Sequence, residues 1–268
     1  MSVNDELGKR MKEFYEQVPK YRLTRRTPVI IRIDGKAFHT FTRGFERPFD
    51  EVFSNAMNQT MEYLCNNIQG CIFGYRQSDE ISLVLSDYRK LNSDAWFGYE
   101  VQKMCSIAAS MATMAFNKYF RQECSEWFNS VENTIFDEFD DVDEDVKKLF
   151  NAYTIACEKG AMFDARCFNI PKEEVVNCIY WRQLDAARNS VQMVGQAYFS
   201  HKELQGKSCN MIQDMLHEQK GINWNDFPVD QKRGVCWTRE KGIDYDMPML
   251  KGEDRKYLED LVHYVEEG

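Results

Sequence analysis

The chain has 268 residues, 43% of them hydrophobic, and a formal net charge of −9. This composition is typical of a soluble globular protein with a sizeable core, and no segment approaches the roughly 20 consecutive apolar residues of a membrane span. The N-terminus lacks the apolar core of a signal peptide, so we expect a cytoplasmic protein without membrane contact.

The first third of the chain predicts two helices on either side of a strand. Apolar residues near helical spacing predict a helix over 3–19, and a basic connector follows it. The β-branched run 29–33 predicts a strand. A loop punctuated by glycine then leads into a helix that begins near Pro48, a residue suited to a first turn, and ends at about Asn67.

The middle of the chain predicts a hairpin, a long helix and a further strand. Two β-rich runs, 71–75 and 81–85, flank the polar sequence QSDE and predict the hairpin. A stretch rich in Ala and Met, 95 to about 120, predicts a mostly buried helix. Residues 164–170 predict a fourth strand, and another long helix begins at Pro171.

The net negative charge comes from one segment. Residues 123–145 contain ten acidic residues and no Lys or Arg, whereas the rest of the chain carries 34 basic and 33 acidic residues. We predict a surface helical insertion at about 121–160, with a solvated face as the simplest interpretation and an interaction face as the alternative. Because the remainder is balanced and contains basic clusters, the overall acidity does not exclude a polyanionic partner.

The nine cysteines are odd in number and contain no Cys-x-x-Cys pair. This pattern favours buried reduced thiols over a zinc site or a disulfide framework, in agreement with a cytoplasmic location.

The order strand–helix–strand–strand–helix–strand is that of the ferredoxin-like split arrangement. The predicted fold class is therefore α+β, with an antiparallel sheet and helices on one face. We divide the chain into an N-terminal helix and basic connector (1–26), a palm-like domain that contains the acidic insertion (27–200), and a helical, loop-rich C-terminal extension (201–268).

Two carboxylates are predicted to meet at one edge of that sheet. Asp34 lies just beyond the first strand and Asp79 just before the third, and these strands are antiparallel neighbours in this arrangement. Like charges a few ångströms apart are costly unless cations neutralise them, and an oxygen-only ligand set favours Mg²⁺.

Two Mg²⁺ ions at this edge could organise phosphoryl transfer. The Gly35 carbonyl would complete a metal shell, and the backbone N–H groups of residues 36–39, together with the Lys36 ammonium, would wrap the phosphates. An Asp-Gly turn and an ordinary hairpin tip explain the same residues, so spacing and composition leave both interpretations open.

Five motifs at and beyond these residues resemble those of the tRNA-histidine guanylyltransferase superfamily: RIDGKAFHTF, GFERPFD, QSDEISLV, WRQLDAARNS and LQGKS. The resemblance extends from about Thr27 to Arg239 and is interrupted by the acidic insertion. It implies a polymerase-like palm that adds nucleotides to RNA in the 3′-to-5′ direction. It also implies two Mg²⁺ ions, ATP and GTP or other NTPs as substrates, tRNA or a tRNA-like RNA as partner, and a homo-oligomer, commonly a tetramer.

The resemblance also assigns roles to individual residues. It implies metal ligation by Asp34, the carbonyl of Gly35 and Asp79, with Glu80 as a further acidic catalytic residue. The nucleotide-binding residues that it implies are Asp34, Gly35, Lys36, Ala37, Phe38, His39, Ser78, Asp79 and Lys103. Phosphate contacts for activation of the RNA 5′ end fall on Arg47 and Arg166. We further predict RNA contacts at Arg25, Arg26, Arg188, Asn189, Lys232 and Arg233.

Two departures from the family pattern point to its tRNA-repair branch. Ala187 occupies the position of a histidine that helps tRNA-histidine enzymes to read the anticodon, and alanine can neither hydrogen-bond nor stack on a base. Tyr99 and Glu100 replace a basic pair at the start of the long helix.

The leading prediction is therefore a template-dependent polymerase that repairs truncated 5′ ends of tRNA, after ATP or GTP has activated the 5′-phosphate. The alternatives are a tRNA-histidine-specific enzyme that adds one G before the first nucleotide, a nucleotide cyclase, and a catalytically silent RNA-binding module.

Overall fold

A computed structural model describes residues 3–135 and 143–264 of the chain. The strands of the described part are β1 (Val29–Gly35), β2 (Cys71–Gln77), β3 (Glu80–Leu85), β4 (Phe163–Asn169), β5 (Val235–Thr238) and β6 (Gly242–Asp244). Its α-helices are α1 (Val3–Met11), α2 (Phe38–Phe41), α3 (Glu51–Asn67), α4 (Val101–Ile135), α5 (Glu144–Lys159), α6 (Lys172–Tyr198), α7 (His201–Leu204), α8 (Cys209–Lys220), α9 (Val229–Arg233) and α10 (Lys256–His263). A π-helical segment covers Lys12–Glu16, and 3-10 turns cover Trp96–Tyr99, Trp224–Asp226 and Gly252–Arg255.

The described strands form one antiparallel sheet in the order β4-β1-β3-β2-β5-β6. The first four have the order of the ferredoxin-like arrangement, which confirms the predicted α+β palm-like fold. β5 and β6 extend the sheet beside β2, although the sequence of this region predicted only helices and loops. They are four and three residues long, too short for an alternating pattern to be recognised.

Helices cover both faces of the sheet, whereas the prediction placed them on one. Ile31 and Ile33 of β1 belong to the core formed with α3 and α4. Ile30 belongs to a second core on the opposite face, with Ile179 of α6 and Leu258 of α10. The central strands β2 and β3 are buried at every residue, so both of their faces require a covering layer.

Two helix boundaries differ from the prediction for local reasons. α3 begins at Glu51 because the Asp50 side chain accepts a hydrogen bond from the Phe53 backbone N–H at 2.8 Å and caps the helix, so Pro48 lies before the first turn. The long helix α4 begins at Val101, after a 3-10 turn in which Phe97 has a positive φ of 50°.

The acidic segment is helical on both sides of its centre. α4 continues into it as far as Ile135, and α5 begins at Glu144. Residues 136–142 of the predicted insertion lie outside the described residues. The Tyr153 hydroxyl on α5 donates a hydrogen bond of 2.8 Å to the buried Asp50 carboxylate, so the insertion supports the end of the loop that leads into α3.

The predicted N-terminal helix ends earlier than residue 19, because α1 and the π-helical segment end at Glu16. Its apolar side chains, such as Phe14 and Tyr15, are about two-thirds exposed. Within residues 3–135 and 143–264, no helix has the length and hydrophobicity needed to cross a bilayer.

The nine cysteines are free thiols, of which four are buried and five partly exposed. The expectation of burial therefore holds for only part of the set. Cys105 on α4 and Cys167 on β4 bring their sulfur atoms to 3.5 Å, which marks the contact of that helix with the edge strand.

Candidate active site at the end of the central strands

Asp34 and Asp79 lie at the same end of β1 and β3. Asp34 is the residue before the last of β1, and its partner across the sheet is Glu80, the first residue of β3. Asp79 directly precedes Glu80 in a two-residue turn, in which Ser78 has a positive φ of 49°. The antiparallel register therefore brings these two predicted site residues together.

The environment of Asp79 opposes its ionisation. Burial raises the pKa of the Asp79 carboxyl to about 6, and the negative charge of Asp34 adds to that shift, while the Ser78 hydroxyl opposes it. Among the described residues, no Lys, Arg or His nitrogen lies within 4.0 Å of a carboxylate oxygen of Asp34 or Asp79. The pair therefore forms no ion pair, and the Arg166 guanidinium acts on Asp34 only over a longer distance.

A cavity of about 390 Å³ opens in front of this pair. Its opposite wall is one face of α6, where side chains recur every three or four residues: Arg182, Asp185, Asn189, Gln192, Met193 and Gln196. Of these, only Asn189 was predicted. The polar residues at helical spacing in this long helix were the available signal, because a helix packed on a sheet should otherwise carry apolar residues on its inner face.

A second cavity, of about 590 Å³, adjoins the first and shares Ser78, Asp79, Met193 and Gln196 with it. Its wall is the chain between β1 and α3, which contributes Gly35, Ala37, Phe38 and His39. The volume lies within the range of about 300–1,000 Å³ typical of small-ligand sites.

The second cavity carries basic side chains at its mouth. His39, Arg43 and Arg47 line it and are exposed. Asp50 also lines it, but its carboxylate already accepts hydrogen bonds from two backbone N–H groups and the Tyr153 hydroxyl. Arg43 was not predicted from the sequence. The lining of the cavity thus combines the guanidinium groups of Arg43 and Arg47 with the carboxyl groups of Glu46 and Asp79.

The chain turns tightly between β1 and α2. Ala37 has a positive φ of 55°, and a Cβ atom at Gly35 would lie 2.3 Å from the Phe38 ring, so glycine is required there. The Lys36 backbone N–H donates to the Met162 carbonyl at 2.8 Å. This N–H is thus already used by a link to the residue before β4, and the predicted contact of residues 36–39 with phosphates stays a prediction.

Glu80 is buried in an ion-pair network. Its carboxylate accepts hydrogen bonds from Arg182 at 2.7 and 2.8 Å, and Arg32 lies 3.0 Å from one of the same oxygens. Arg182 also donates to Asp185 at 2.9 Å. The structure therefore places Glu80 as an anchor between β3 and α6, and its predicted catalytic role stays a prediction.

The other predicted basic residues lie at different distances from the carboxylates. Arg166 on β4 is the register partner of Arg32 and forms an ion pair of 3.0 Å with Asp164. Lys103 lies near the start of α4, 4.9 Å from the Phe97 ring. It lines neither cavity, so the structure does not bring it to the site.

The predicted RNA contacts are dispersed. Arg25 forms an ion pair of 2.6 Å with the buried Asp87, which also accepts from the Arg26 backbone N–H. Lys232 and Arg233 donate to backbone carbonyls of Asn225 and Met247, and Arg188 pairs with Asp185. Of this set, only Asn189 lines the first cavity.

The ligand chemistry of the site is oxygen-only. In the described ranges no group of three or more His, Cys, Asp or Glu side chains is arranged around one metal position. Asp34 and Asp79 supply two carboxylates, and the backbone carbonyl of Gly35 adjoins them in sequence. Two carboxylates without an ion-pair partner, together with a carbonyl, fit a hard cation such as Mg²⁺, which binds through few protein ligands and keeps several waters.

Comparison with known proteins gives a consistent result. The family model described as tRNAHis guanylyltransferase matches residues 8–171. An uncharacterized protein of Acanthamoeba polyphaga mimivirus is 30% identical over 248 residues, which cover 89% of this chain and 78% of that protein.

Solved structures give the same family. A bacterial tRNA(His) guanylyltransferase-like protein in complex with ATP is 38% identical, with a TM-score of 0.79, over 98% of this chain and all of that one. A structure of such a bacterial protein in complex with GTP is 37% identical, with a TM-score of 0.73, over 97% of this chain and all of that one.

Proposed function

The chain belongs to the tRNAHis guanylyltransferase family and is a nucleotidyltransferase, and we propose that it extends truncated 5′ ends of tRNA in the 3′-to-5′ direction, one templated nucleotide at a time. The observation that carries this proposal is that Asp79 lines two adjoining cavities, while Asp34, at the same end of the sheet, lines one of them. One cavity serves the incoming nucleoside triphosphate, and the other serves the RNA end.

The second cavity suits a nucleoside triphosphate. The exposed Arg43 provides positive charge for the phosphate oxygens of the triphosphate, His39 can donate a hydrogen bond, and Phe38 and Phe53 provide apolar surface. Two similar solved proteins are in complex with ATP and with GTP, which supports a nucleoside triphosphate as a substrate of this chain. Arg47 is the group that we assign to the 5′-phosphate during its activation by ATP or GTP.

Asp34, Asp79 and the Gly35 carbonyl would hold Mg²⁺. When bound, two such ions neutralise phosphate charge and lower the pKa of an attacking hydroxyl. The two carboxylates must be ionised for this purpose, although burial raises the pKa of Asp79. Their fixed places at the ends of β1 and β3 provide the orientation on which phosphoryl transfer depends.

The α6 wall suits a templated reaction. Asn189, Gln192 and Gln196 present neutral hydrogen-bonding side chains toward the carboxylates, next to which a nucleotide pair would lie. Ala187 on the same helix supplies no side-chain hydrogen bond, and this favours repair of several tRNAs over a specialist for tRNA-histidine. A histidine-specific enzyme remains the second candidate, because the family model carries that name.

The experiment is nucleotide addition by the purified full chain with Mg²⁺, a labelled NTP and tRNA that lacks its first 5′ nucleotide. We expect addition only of the nucleotide complementary to the base opposite the gap. Asp34→Asn and Asp79→Asn should each reduce the rate by more than about 100-fold. Asp214→Asn, which changes an exposed carboxylate on α8, is the matched control and should retain the wild-type rate.

Two outcomes would replace the proposal. Strict dependence on a GUG anticodon would identify the histidine-specific enzyme. Equal extension of truncated tRNAs of other identities would exclude that enzyme. A cyclic nucleotide formed from NTPs without RNA would identify a cyclase. Full activity of both aspartate variants would show that Asp34 and Asp79 do not form the catalytic site.

A further inference from the structure

A further cavity, of about 240 Å³, lies at the end of the sheet opposite to the carboxylates. It is bounded by the chain just before β2, just after β3 and just after β5, at Gly70, Ser86 and Arg239. These strand ends meet because β3 and β5 both run antiparallel to β2. The Ser86 backbone N–H donates to the Gly70 carbonyl at 2.8 Å and closes one side. We call this space the distal cavity.

The distal cavity is lined by three cationic side chains and one carboxylate. Arg89 and Lys90 follow β3, Arg239 follows β5, and the carboxylate is that of Asp94. The Asp94 carboxylate lies 3.9 Å from the Arg25 guanidinium, so a fourth cation already balances its charge. The lining is therefore positive in formal charge, and an anion is the ligand that it favours.

Arg89 has unused capacity for hydrogen bonds. Its guanidinium lies 5.0 Å from the centre of the Tyr264 ring, which holds it by a cation–π contact. Its Nε atom is buried and has no hydrogen-bond partner in the part of the chain that the structure describes. A guanidinium that is stacked on a ring and still has free N–H groups suits a phosphate, to which it can donate two parallel hydrogen bonds.

The distal cavity adjoins two of the predicted RNA contacts. Arg25 donates to the Ser93 carbonyl at 3.3 Å, and both Ser93 and Asp94 line the cavity. The backbone N–H of the next residue, Arg26, donates to Asp87, and its side chain is exposed. The basic connector before β1 therefore continues the cationic surface of the distal cavity.

We propose that the distal cavity binds a phosphate group of the RNA backbone, remote from the RNA end that reacts. This inference rests on the proposed function and adds a second place at which the RNA is held. Asp79 directly precedes β3 and Ser86 directly follows it, so an extended strand separates them by about 23 Å. The phosphate in the distal cavity would therefore belong to the body of the RNA.

A backbone phosphate suits an enzyme that extends RNAs of different sequence. Phosphate contacts fix the position and orientation of the nucleic acid without reading its bases. Because the chain has a net charge of −9, a polyanion needs a locally cationic surface such as this one. A contact at this distance also leaves the space beside the carboxylates free for the incoming nucleotide and the base pair that it forms.

The first test measures RNA binding by the full chain, using fluorescence anisotropy of a tRNA labelled at its 3′ end. Arg89→Ala and Arg239→Ala should each weaken binding by about 3- to 10-fold at low salt. Each should also reduce the slope of log affinity against log salt by about 0.7 to 0.9 in magnitude. Arg121→Ala, which removes an exposed arginine from α4, is the matched control and should bind as the wild type does.

Two features of this design separate the site from a general effect on folding. Arg239 is exposed, so its removal tests the cavity independently of the half-buried Arg89. Arg89→Lys should keep the wild-type salt slope, because the charge is retained, and should bind RNA more weakly than the wild type, because an ammonium lacks the planar pair of donors. In steady-state kinetics, Arg89→Ala should raise KM for RNA and leave KM for the NTP and kcat at saturating RNA unchanged.

Neutral linkages locate the contact on the RNA. Single methylphosphonates, each of which removes the charge of one phosphate, are placed at successive positions from the 5′ end of the tRNA. We expect one linkage away from that end to weaken binding to the wild type and to Arg121→Ala by about 3- to 10-fold. The same linkage should not weaken binding to Arg89→Ala further, because that variant has already lost the contact.

Four results would decide against these assignments. Wild-type RNA affinity in both Arg89→Ala and Arg239→Ala would show that the distal cavity does not bind RNA, and extension of RNA by the wild type would then leave the proposed function standing. Coupling of Arg89 to the 5′-terminal phosphate would contradict the separation of about 23 Å. A raised KM for the NTP would assign the cavity to a free nucleotide. Failure of the wild type to extend any RNA would overturn the proposed function, while the binding measurements would still test the distal cavity.

Discussion

The Arg182 guanidinium donates to both oxygens of the Glu80 carboxylate, at 2.7 and 2.8 Å, between residues 102 positions apart in the chain. Both side chains are almost fully buried. The pair ties the hairpin that carries Asp79 to the helix that forms the opposite wall of the first cavity. The ion pair therefore holds these two walls at a fixed distance from each other. This effect requires both partners to be charged.

Removal of one partner should destabilise the protein. Arg182→Met leaves the buried Glu80 carboxylate with Arg32 alone and should lower the free energy of unfolding by about 3 kcal/mol. Urea denaturation measures this effect. The double variant Glu80→Gln/Arg182→Met should recover part of the loss, since no unpaired carboxylate then remains in the core.

Activity distinguishes the anchor from a catalytic role. Where both variants are folded, Glu80→Gln should retain far more nucleotide addition than Asp79→Asn. Loss of activity as complete as that of Asp79→Asn, with an unchanged denaturation midpoint, would restore Glu80 to the catalytic set.

The raised pKa of Asp79 predicts a pH-dependent stability. The folded-state pKa is about 6, against about 3.9 for an unfolded aspartate, so the native state binds this proton more tightly. The free energy of unfolding should therefore fall as pH rises from about 4 to 6 and then level off. In metal-free buffer, Asp79→Asn should exceed the wild type by about 2 kcal/mol at pH 8 and by less at pH 5.

Bound Mg²⁺ should favour the ionised form of the Asp79 carboxyl group, whereas burial disfavours it. At pH 8, added Mg²⁺ should raise the denaturation midpoint of the wild type, because the bound cation favours the ionised carboxylates. The midpoint of Asp79→Asn should not respond. An equal Mg²⁺ response of both proteins would place the cation elsewhere.

Gly35 should not tolerate a methyl group. The added Cβ atom of Gly35→Ala would lie 2.3 Å from the Phe38 ring, which is packed against Phe41, Phe116 and Phe163 and has no room to shift. We expect a loss of about 1 to 3 kcal/mol in thermal or urea unfolding.

Two further variants test whether close packing against Phe38 causes the loss of stability in Gly35→Ala. Gly35→Ala/Phe38→Leu should recover stability because the smaller side chain leaves space for the methyl group. Gly8→Ala is the matched control, since nothing lies within 4 Å of its added Cβ atom and alanine favours the helix. If Gly35→Ala unfolds like Gly8→Ala, close packing is not the reason for glycine at this position.

The sequence predicted the core of the fold because its strands carry local signals. The runs around Ile31, Phe73 and Leu83 are apolar and β-rich, and their order along the chain restricts the sheet to few topologies. The same runs did not predict the second helical layer, because a continuous apolar run does not indicate whether helices cover one face of the sheet or both. β5 was missed since its strand character depends on pairing with β2, a contact between distant segments.

The site was predictable where topology alone determines it. Asp34 and Asp79 follow from the pairing of β1 with β3. The Arg182–Glu80 pair depends on the exact position of α6 over the sheet, which no local pattern reveals. Lys103 was predicted from resemblance, yet it lies near the start of α4. The part of that helix near the carboxylates is around Thr113, which contacts Phe163, the first residue of β4 and the register partner of Gly35.

Arg47 should matter for only one kind of RNA end. It lines the nucleotide cavity that also contains Asp79, and we assign it to the activation of a 5′-monophosphate. An RNA that already carries a 5′-triphosphate needs no activation. Arg47→Ala should therefore reduce addition to 5′-monophosphorylated RNA by about 10- to 100-fold and addition to 5′-triphosphorylated RNA by no more than about 2-fold.

Arg43 provides the comparison for this prediction, because it lines the same cavity without an assigned role in activation. The ratio of the two rates, with monophosphate and with triphosphate RNA, should change in Arg47→Ala and stay constant in Arg43→Ala. An equal loss on both RNAs in Arg47→Ala would show that its guanidinium serves the incoming NTP, since that substrate is common to both reactions. The ratio also cancels any general loss of folding, which would reduce both rates by the same factor.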